Sequence, residues 1–185
     1  MEDNQIVALY WKRDEEAIRA TDQKYGPFCH AIAYNILASH EDAEETVNDT
    51  YAGAWNAMPP HRPGVLSSFL AKLTRRISLN RWRDNRAGKR GGGQVPLALD
   101  ELTECIPAGQ DVAQEVELKE LAAAVRRFLS GLAENERDVF VSRYFYLAPI
   151  AEISQKLGFS ESKTKSMLFR IRGKLRRKLQ EEGFL

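Results

Sequence analysis

Cysteine is nearly missing from this 185-residue chain. Cys29 and Cys105 are the only two, far apart and without C-x-x-C spacing. That excludes a zinc ribbon, a dithiol redox motif and a disulfide-stapled scaffold, and the two thiols read as packing residues. Histidine is as scarce, and His30, His40 and His61 show no metal-ligand spacing. No G-x-S-x-G turn exists, and the "GGG" at 91–93 does not join a strand to a helix as a phosphate loop would. Neither an enzyme nor a metal or other cofactor is indicated. No apolar run approaches the ~20 residues that span a bilayer. The opening "MEDNQIVALYWKRDEE" lacks the basic-then-apolar order of a secretory signal. The expectation is a cytoplasmic protein with no membrane insertion. Strand-like alternation and internal repeats are missing too.

What is present is charge, sorted by sign. Hydrophobic residues make up 43% and charged residues 29% of the chain, enough for a folded core in one medium or two small domains. The formal net charge is only +1, yet sixteen of the 27 Lys and Arg fall in two blocks, 72–90 and 163–178. The second block contains no acid at all. Acids gather in Glu41, Asp42, Glu44, Glu45 and Asp49, and again from Asp100 to Glu120. Near-neutrality therefore hides two positive and two negative surfaces.

Helical periodicity covers most of the rest. Ile18, Thr21, Tyr25, Phe28, Ile32 and Ile36 form one stripe at three- and four-residue steps, which Gly26-Pro27 is expected to kink or break. Ser39 is placed to cap the next helix, with Asp42 three residues on. That helix turns Ala43, Val47, Tyr51, Ala54 and Met58 inward and stops at Pro59-Pro60, before the loop "PPHRPG". A further helix over about 65–83 buries Leu66, Phe69, Leu70, Leu73 and Ile77, with Trp82 at its edge. Glycines and prolines without a period then mark 87–114 as a flexible, partly acidic linker. Leu118, Leu121, Val125, Phe128 and Leu132, and then Val139, Phe140 and Tyr144, restore the helical period. The expected fold is all-α: a helical domain over 1–86, the linker, and a four-helix domain over 115–185.

The last domain ends in a helix-turn-helix. Pro149 suits a helix start, Ile150, Ile153 and Leu157 its buried stripe, Gly158 a left-handed end, and Ser160 the following cap. In the second helix Leu168, Ile171, Leu175 and Leu179 point one way, and Ser162, Lys165, Ser166, Phe169 and Arg172 the other. A basic, short-chained outer face of this kind fits the DNA major groove, where Lys and Arg release counterions from phosphates. Phe169 has two readings: contact with a thymine methyl or sugar, or packing back on the scaffold helix.

The order of these features resembles the extracytoplasmic-function (ECF) group of bacterial sigma factors, the promoter-recognition subunits of RNA polymerase. "DAEETVNDTYAGAW" resembles the family's acidic-aromatic segment, "FLAKLTRRISLNRWR" its following helix, and "LAENERDVFVSRYFY" with "IAEISQKLGFSESKTKSMLFRIRGKLRRKL" its last domain. The resemblance implies that Asp42, Glu45, Asn48, Asp49 and Trp55 dock on the clamp of core RNA polymerase. It implies that Asn56, His61, Arg62, Lys72, Arg75, Arg76, Asn80 and Arg83 bind and melt the −10 element. The −35 element then falls to Ser162, Lys163, Lys165, Ser166, Phe169, Arg170 and Arg172, with Arg170 toward the flank. The acidic linker would follow the polymerase's RNA path, although its composition fits a disordered tether with no specific role equally well, and an anti-sigma factor would be the regulator. Taken alone, the acidic cluster reads as a solvated face, Trp55 as core and His61 as an exposed loop residue.

Some positions depart from the family pattern. Phe69 stands for its Trp, Arg76 for Asn and Asn80 for Asp; Lys163 and Thr164 replace Thr-Val, and Met167 a basic residue. Promoter preference therefore does not carry over. A dimeric helix-turn-helix repressor is the competing class, but it needs neither a docking surface nor a melting helix.

Overall fold

The computed structural model describes residues 1–86, 94–103 and 115–185, and every described element is a helix, turn or loop. The chain divides into two compact units, Met1–Gly93 and Gln94–Leu185. In the first unit α1 (Asp3–Trp11) leads into α2 (Glu16–Leu37), α3 (His40–Ala57) and α4 (Leu66–Arg86). The last three pack against one another, and α1 lies on α2.

The N-terminal α1 buries Ile6, Val7 and Tyr10. Asp3 ties it to α2 by accepting from Lys24 Nζ (2.7 Å) and Tyr25 Oη (2.6 Å). Those bonds hold the Asp3 carboxyl below its ordinary pKa. Burial and the same aspartate push the Tyr25 phenol up to about 12.

Of the kink or break expected at Gly26-Pro27, the break does not occur: α2 is one helix of 22 residues with Pro27 inside it. A proline removes one backbone hydrogen bond, but packing on both sides outweighs that loss. Gly26 is buried where a Cβ would stand 2.7 Å from Asp22 Oδ1, the atom that accepts from Tyr51 Oη at 2.8 Å. The glycine therefore admits the α2–α3 contact. Ser39 caps α3 as expected, its Oγ accepting from the Asp42 N–H at 3.2 Å.

The α3–α4 seam is polar inside. Thr46, Thr50, Thr74 and Ser78 are all fully buried. Thr50, Thr74 and Ser78 each donate to a carbonyl one turn back, and Thr50 also reaches Thr74 across the seam at 3.2 Å. Around them Tyr51, Ala54, Met58, Leu66, Leu70 and Leu73 close the core. Each large apolar side chain buried here contributes about 1.5–3 kcal/mol. Cys29 is buried in the same core, as a packing thiol should be; Cys105 lies outside the described residues.

The second unit comprises α5 (Gln94–Thr103), α6 (Glu115–Ser130), α7 (Glu134–Tyr144), α8 (Ile150–Leu157) and α9 (Glu161–Glu181). Packed against α9 are α6, α7 and α8, over Val139, Phe140, Ile153, Leu168, Ile171, Leu175 and Leu179. Pro149 is the cap residue of α8 rather than its first turn.

The four helices expected over 115–185 are α6 to α9; within the stretch expected to be a linker, 94–103 is also helical. The reason is a fixed ion pair. Glu101 accepts from Arg143 Nη2 (2.6 Å) and Nε (3.2 Å) and from Tyr144 Oη (2.8 Å). Val95 and Ala98, on the same turn spacing as Glu101, are buried. The remaining linker residues, 87–93 and 104–114, lie outside the described set.

Burial pushes the Glu101 pKa up. Hydrogen bonds from Arg143 and Tyr144 and the charges of Arg143 and Arg172 more than offset that, leaving the carboxyl below its ordinary value. A lowered folded pKa stabilises above the unfolded value and is lost as pH falls through the folded one. Glu101→Ala leaves the Arg143 side chain, 3% exposed, without its carboxylate, and should cost the second unit roughly 2–3 kcal/mol. Trp11, Trp55 and Trp82 all lie in the first unit, so urea unfolding should shift by far-UV circular dichroism and stay put by tryptophan fluorescence. The difference from wild type should narrow below about pH 4.5, the ordinary glutamate value.

Candidate nucleic-acid interface

The acidic face of α3 is organised by one cation from α4. Asp42, Glu45 and Asp49 follow i, i+3, i+7 spacing and converge on Arg81. Arg81 pairs with Glu45, with Asp49 at 3.0 Å and with Asp42 at 3.7 Å. The Glu45 bond and the surrounding carboxylates raise the arginine's pKa. Glu45, Asn48 and Asp49 remain exposed, and Asp42 is half-buried. Trp55 is half-buried and turned toward α1. Its ring meets Tyr10 edge-on at 6.2 Å, Arg13 lies 5.3 Å over it, and its carbonyl accepts from Arg13 Nη1 at 2.7 Å. Trp55 thus sits at an internal seam, apart from the carboxylates.

The loop after α3 is held by aromatic rings. His61 stacks on Phe69 at 5.2 Å, and the next residue, Arg62, lies 5.4 Å over Trp11. Trp11 Nε1 donates to the His61 carbonyl at 3.3 Å. Asn56 is exposed one turn before the loop, on the rim of an open cleft formed with Glu15, Ile18, Arg19, Ala52 and Trp55. Along α4, Lys72, Arg76, Asn80 and Arg83 share one exposed face, and Asn80 accepts from Arg83. Arg75 does not lie on it: the side chain is half-buried, and burial lowers its pKa.

The helix-turn-helix forms as its sequence dictates. Gly158 closes α8 at φ +69°, and Ser160 Oγ accepts from the Lys163 N–H at 3.2 Å to open α9. Ser162, Lys163, Lys165, Ser166, Phe169 and Arg170 are all exposed. Phe169 is 67% exposed, which decides against its packing back on the scaffold. Lys163 Nζ sits 3.7 Å over the Phe159 ring, and Lys165 pairs with Glu161 at 3.5 Å.

Arg172 is the correction. Its side chain is 13% exposed, donates to Tyr144 Oη at 2.9 Å and lies 3.7 Å from Glu101. The half-buried Glu101 carboxylate turns it inward from the face that its spacing predicted. Thr164 and Met167 are buried, and Thr164 shares a 2.8 Å hydrogen bond with Ser154 of α8. Their departures from the family pattern therefore alter packing inside the helix-turn-helix.

The first unit thus carries a basic helix face and a ring-backed loop, and the second a capped helix-turn-helix. The family profile described as "ECF sigma factor" matches residues 60–181, and that of "Sigma-70 region 2" matches 22–88. The chain belongs to the ECF sigma factor family. As an ECF sigma factor it is an alternative sigma subunit of RNA polymerase that directs transcription initiation at promoters. Among solved structures, "Structure of CnrH in complex with the cytosolic domain of CnrY" aligns with TM-score 0.42 and 23% identity, over 98% of this chain and 99% of that one. No curated protein matches. Among the described residues of this sigma factor, no cluster of His, Cys, Asp or Glu could hold a metal, and no helix is long and apolar enough to cross a membrane.

Sequence reading missed Arg81, Trp11 and Glu101. The i, i+3, i+7 carboxylates signal the need for a cation, but nothing local says which arginine of the basic run supplies it. Arg81→Ala should leave the three carboxylates repelling one another. The cost is at most about 1 kcal/mol because the acids are largely exposed, and it should respond to added salt. Tryptophan-detected urea unfolding with and without 1 M NaCl, a concentration at which screening reaches ~3 Å, measures it.

Proposed function

We propose that this sigma factor divides promoter selection between its two units. Residues 1–86 dock on polymerase and open the −10 element, 115–185 bind the −35 element, and 87–114 connect them, with α5 carried by the second unit. The observation that carries this reading is the exposed face of α9: Ser162, Lys163, Lys165, Ser166, Phe169 and Arg170, presented just after a capped turn. Lysines there neutralise phosphates, the two serines are short enough to admit the helix to base edges, and Phe169 offers an apolar surface to a thymine methyl. Arg172 acts in this scheme as a structural cation.

In the first unit Glu45, Asn48 and Asp49 meet basic side chains of the polymerase clamp, with Asp42 behind them. Lys72, Arg76 and Arg83 follow the backbone of an opened strand, while His61 and Arg62 meet its unstacked bases. Asn56 and Asn80 supply polar edges beside that path. The protein performs no chemistry of its own: it positions the enzyme that does. The cytoplasm is where that enzyme works, and an anti-sigma factor is the regulator that the family resemblance implies.

Run-off transcription with purified core polymerase on genomic fragments tests the whole reading and should yield discrete transcripts only when this chain is added. Specific duplex binding by a dimer without polymerase would favour the repressor class instead. Lys165→Ala should weaken holoenzyme binding to such a promoter by roughly 1 kcal/mol and reduce its salt dependence by about one ion. Asp49→Lys places a cation beside Arg81 and should lower core-polymerase pull-down roughly tenfold with helicity unchanged, as reversing a charge in a complementary interface does.

A further inference from the structure

Arg172 starts from one face of α9 and ends on another. It follows Lys165 by seven residues, close to two full turns, and Phe169 by three, so its Cα stands on the exposed side. Its side chain nevertheless is only 13% exposed and folds back, donating to Tyr144 Oη at 2.9 Å and lying 3.7 Å from Glu101. An arginine is long enough to serve either direction. The partner on offer decides which one it takes.

That partner lies outside the helix-turn-helix. Glu101 belongs to α5, a ten-residue helix within the stretch that joins the two units. Ten residues is below the ~12–15 at which a helix holds its own in water, so α5 is helical only while docked. Its described holds are buried Val95 and Ala98 and the Glu101 carboxylate, which accepts from Arg143 and Tyr144; Leu97 is left exposed. Helix and ion pair therefore form and dissolve together, which makes α5 a two-state element.

The two states differ in what Arg172 meets. With α5 docked, a carboxylate neutralises a cation that starts from the same face as Lys165. A phosphate brought to α9 by Lys163 and Lys165 matches the same guanidinium fork. Glu101 thus stands where a phosphate would compete.

We propose that α5 is an autoinhibitory latch on α9, an inference that rests on the sigma-factor reading above and adds a control on it. Docked, Glu101 keeps Arg172 turned away from the duplex, as the structural cation already described. Undocked, α5 releases Arg172 to a backbone phosphate. Any partner that holds 94–103 elsewhere therefore raises the affinity of α9 for DNA by one phosphate contact.

The experiment measures, by fluorescence anisotropy, how the full-length chain without polymerase binds a labelled promoter duplex found by run-off transcription. Glu101→Gln keeps an oxygen acceptor for Arg143 but removes the charge. Tyr144→Phe keeps the buried ring, leaves net charge unchanged and removes the hydroxyl that holds Arg172. At about 50 mM NaCl, Glu101→Gln should bind roughly fivefold tighter than wild type, with a salt slope steeper by about one ion. That gain should shrink about 3.5-fold on going to about 200 mM. Tyr144→Phe should move the same way by a smaller factor, and decides alone where Glu101→Gln lowers helicity by circular dichroism. Arg172→Ala added to either variant should return affinity and slope to the wild-type values. Equal binding by wild type and both variants, or a gain that survives Arg172→Ala, overturns the latch. A wild-type chain with no salt-dependent duplex binding overturns the reading of α9 as a DNA-binding helix, and the latch with it.

Discussion

Burying Leu168, Ile171, Leu175 and Leu179 in one stripe leaves α9 no freedom to rotate about its axis, because α6, α7 and α8 all pack against it. Which side chains the helix can offer to DNA is then decided by geometry alone. A 3.6-residue period sends Ser162, Lys165, Ser166 and Phe169 outward whenever the leucine stripe is inward. The turn before it is fixed by a left-handed Gly158 and the Ser160 cap, so the register at which the helix begins is equally determined. The first unit obeys the same rule. Leu66, Leu70 and Leu73 fix α4, and Lys72, Arg76 and Arg83 are what remains outside.

Charge sorting is the second constraint. Each block of one sign would repel itself if left alone, and the fold answers by bringing a few opposite charges to it. Arg81 is drawn from the basic helix to the acidic face of α3. Glu136 and Glu182 are drawn to Lys174 and Lys178 at 2.7 and 3.2 Å. These contacts lie toward the later turns of α9, away from the turn that opens it.

Much of this was legible from periodicity and capping, and the exceptions share one cause. Ser39, Gly158, Ser160 and the stripes of α3, α4 and α9 are set by residues within a few positions of one another, which a sequence displays directly. Pro27 inside α2, helix α5 and the inward turn of Arg172 are set by partners far away in the chain: Tyr51 for the Gly26 neighbourhood, Arg143 for Glu101, and Glu101 with Tyr144 for Arg172. Local propensity reads 94–103 as linker because its stabilising pair is 42 residues distant. The ring-backed loop was half legible. Its basic and polar residues stand out, but the α1 tryptophan beneath Arg62 comes from 51 positions earlier.

The energetic ranking of α9's cations follows from their burial. Lys165 and Glu161 are both more than half exposed, so their pair is worth at most about 1 kcal/mol and yields readily to a phosphate. Lys174, 45% exposed beside a less exposed Glu136, is harder to release. Arg172 is harder still. Freeing it would break its hydrogen bond to Tyr144 and take one cation from beside Glu101, which keeps Arg143 and Tyr144, a loss of roughly 1–2 kcal/mol. A phosphate contact returns less than that, since one released counterion changes affinity only through the salt concentration. A block of eight basic residues in the sequence therefore overstates the charge that α9 presents to solvent, and Arg172 serves the domain by holding α5 and α7 to α9.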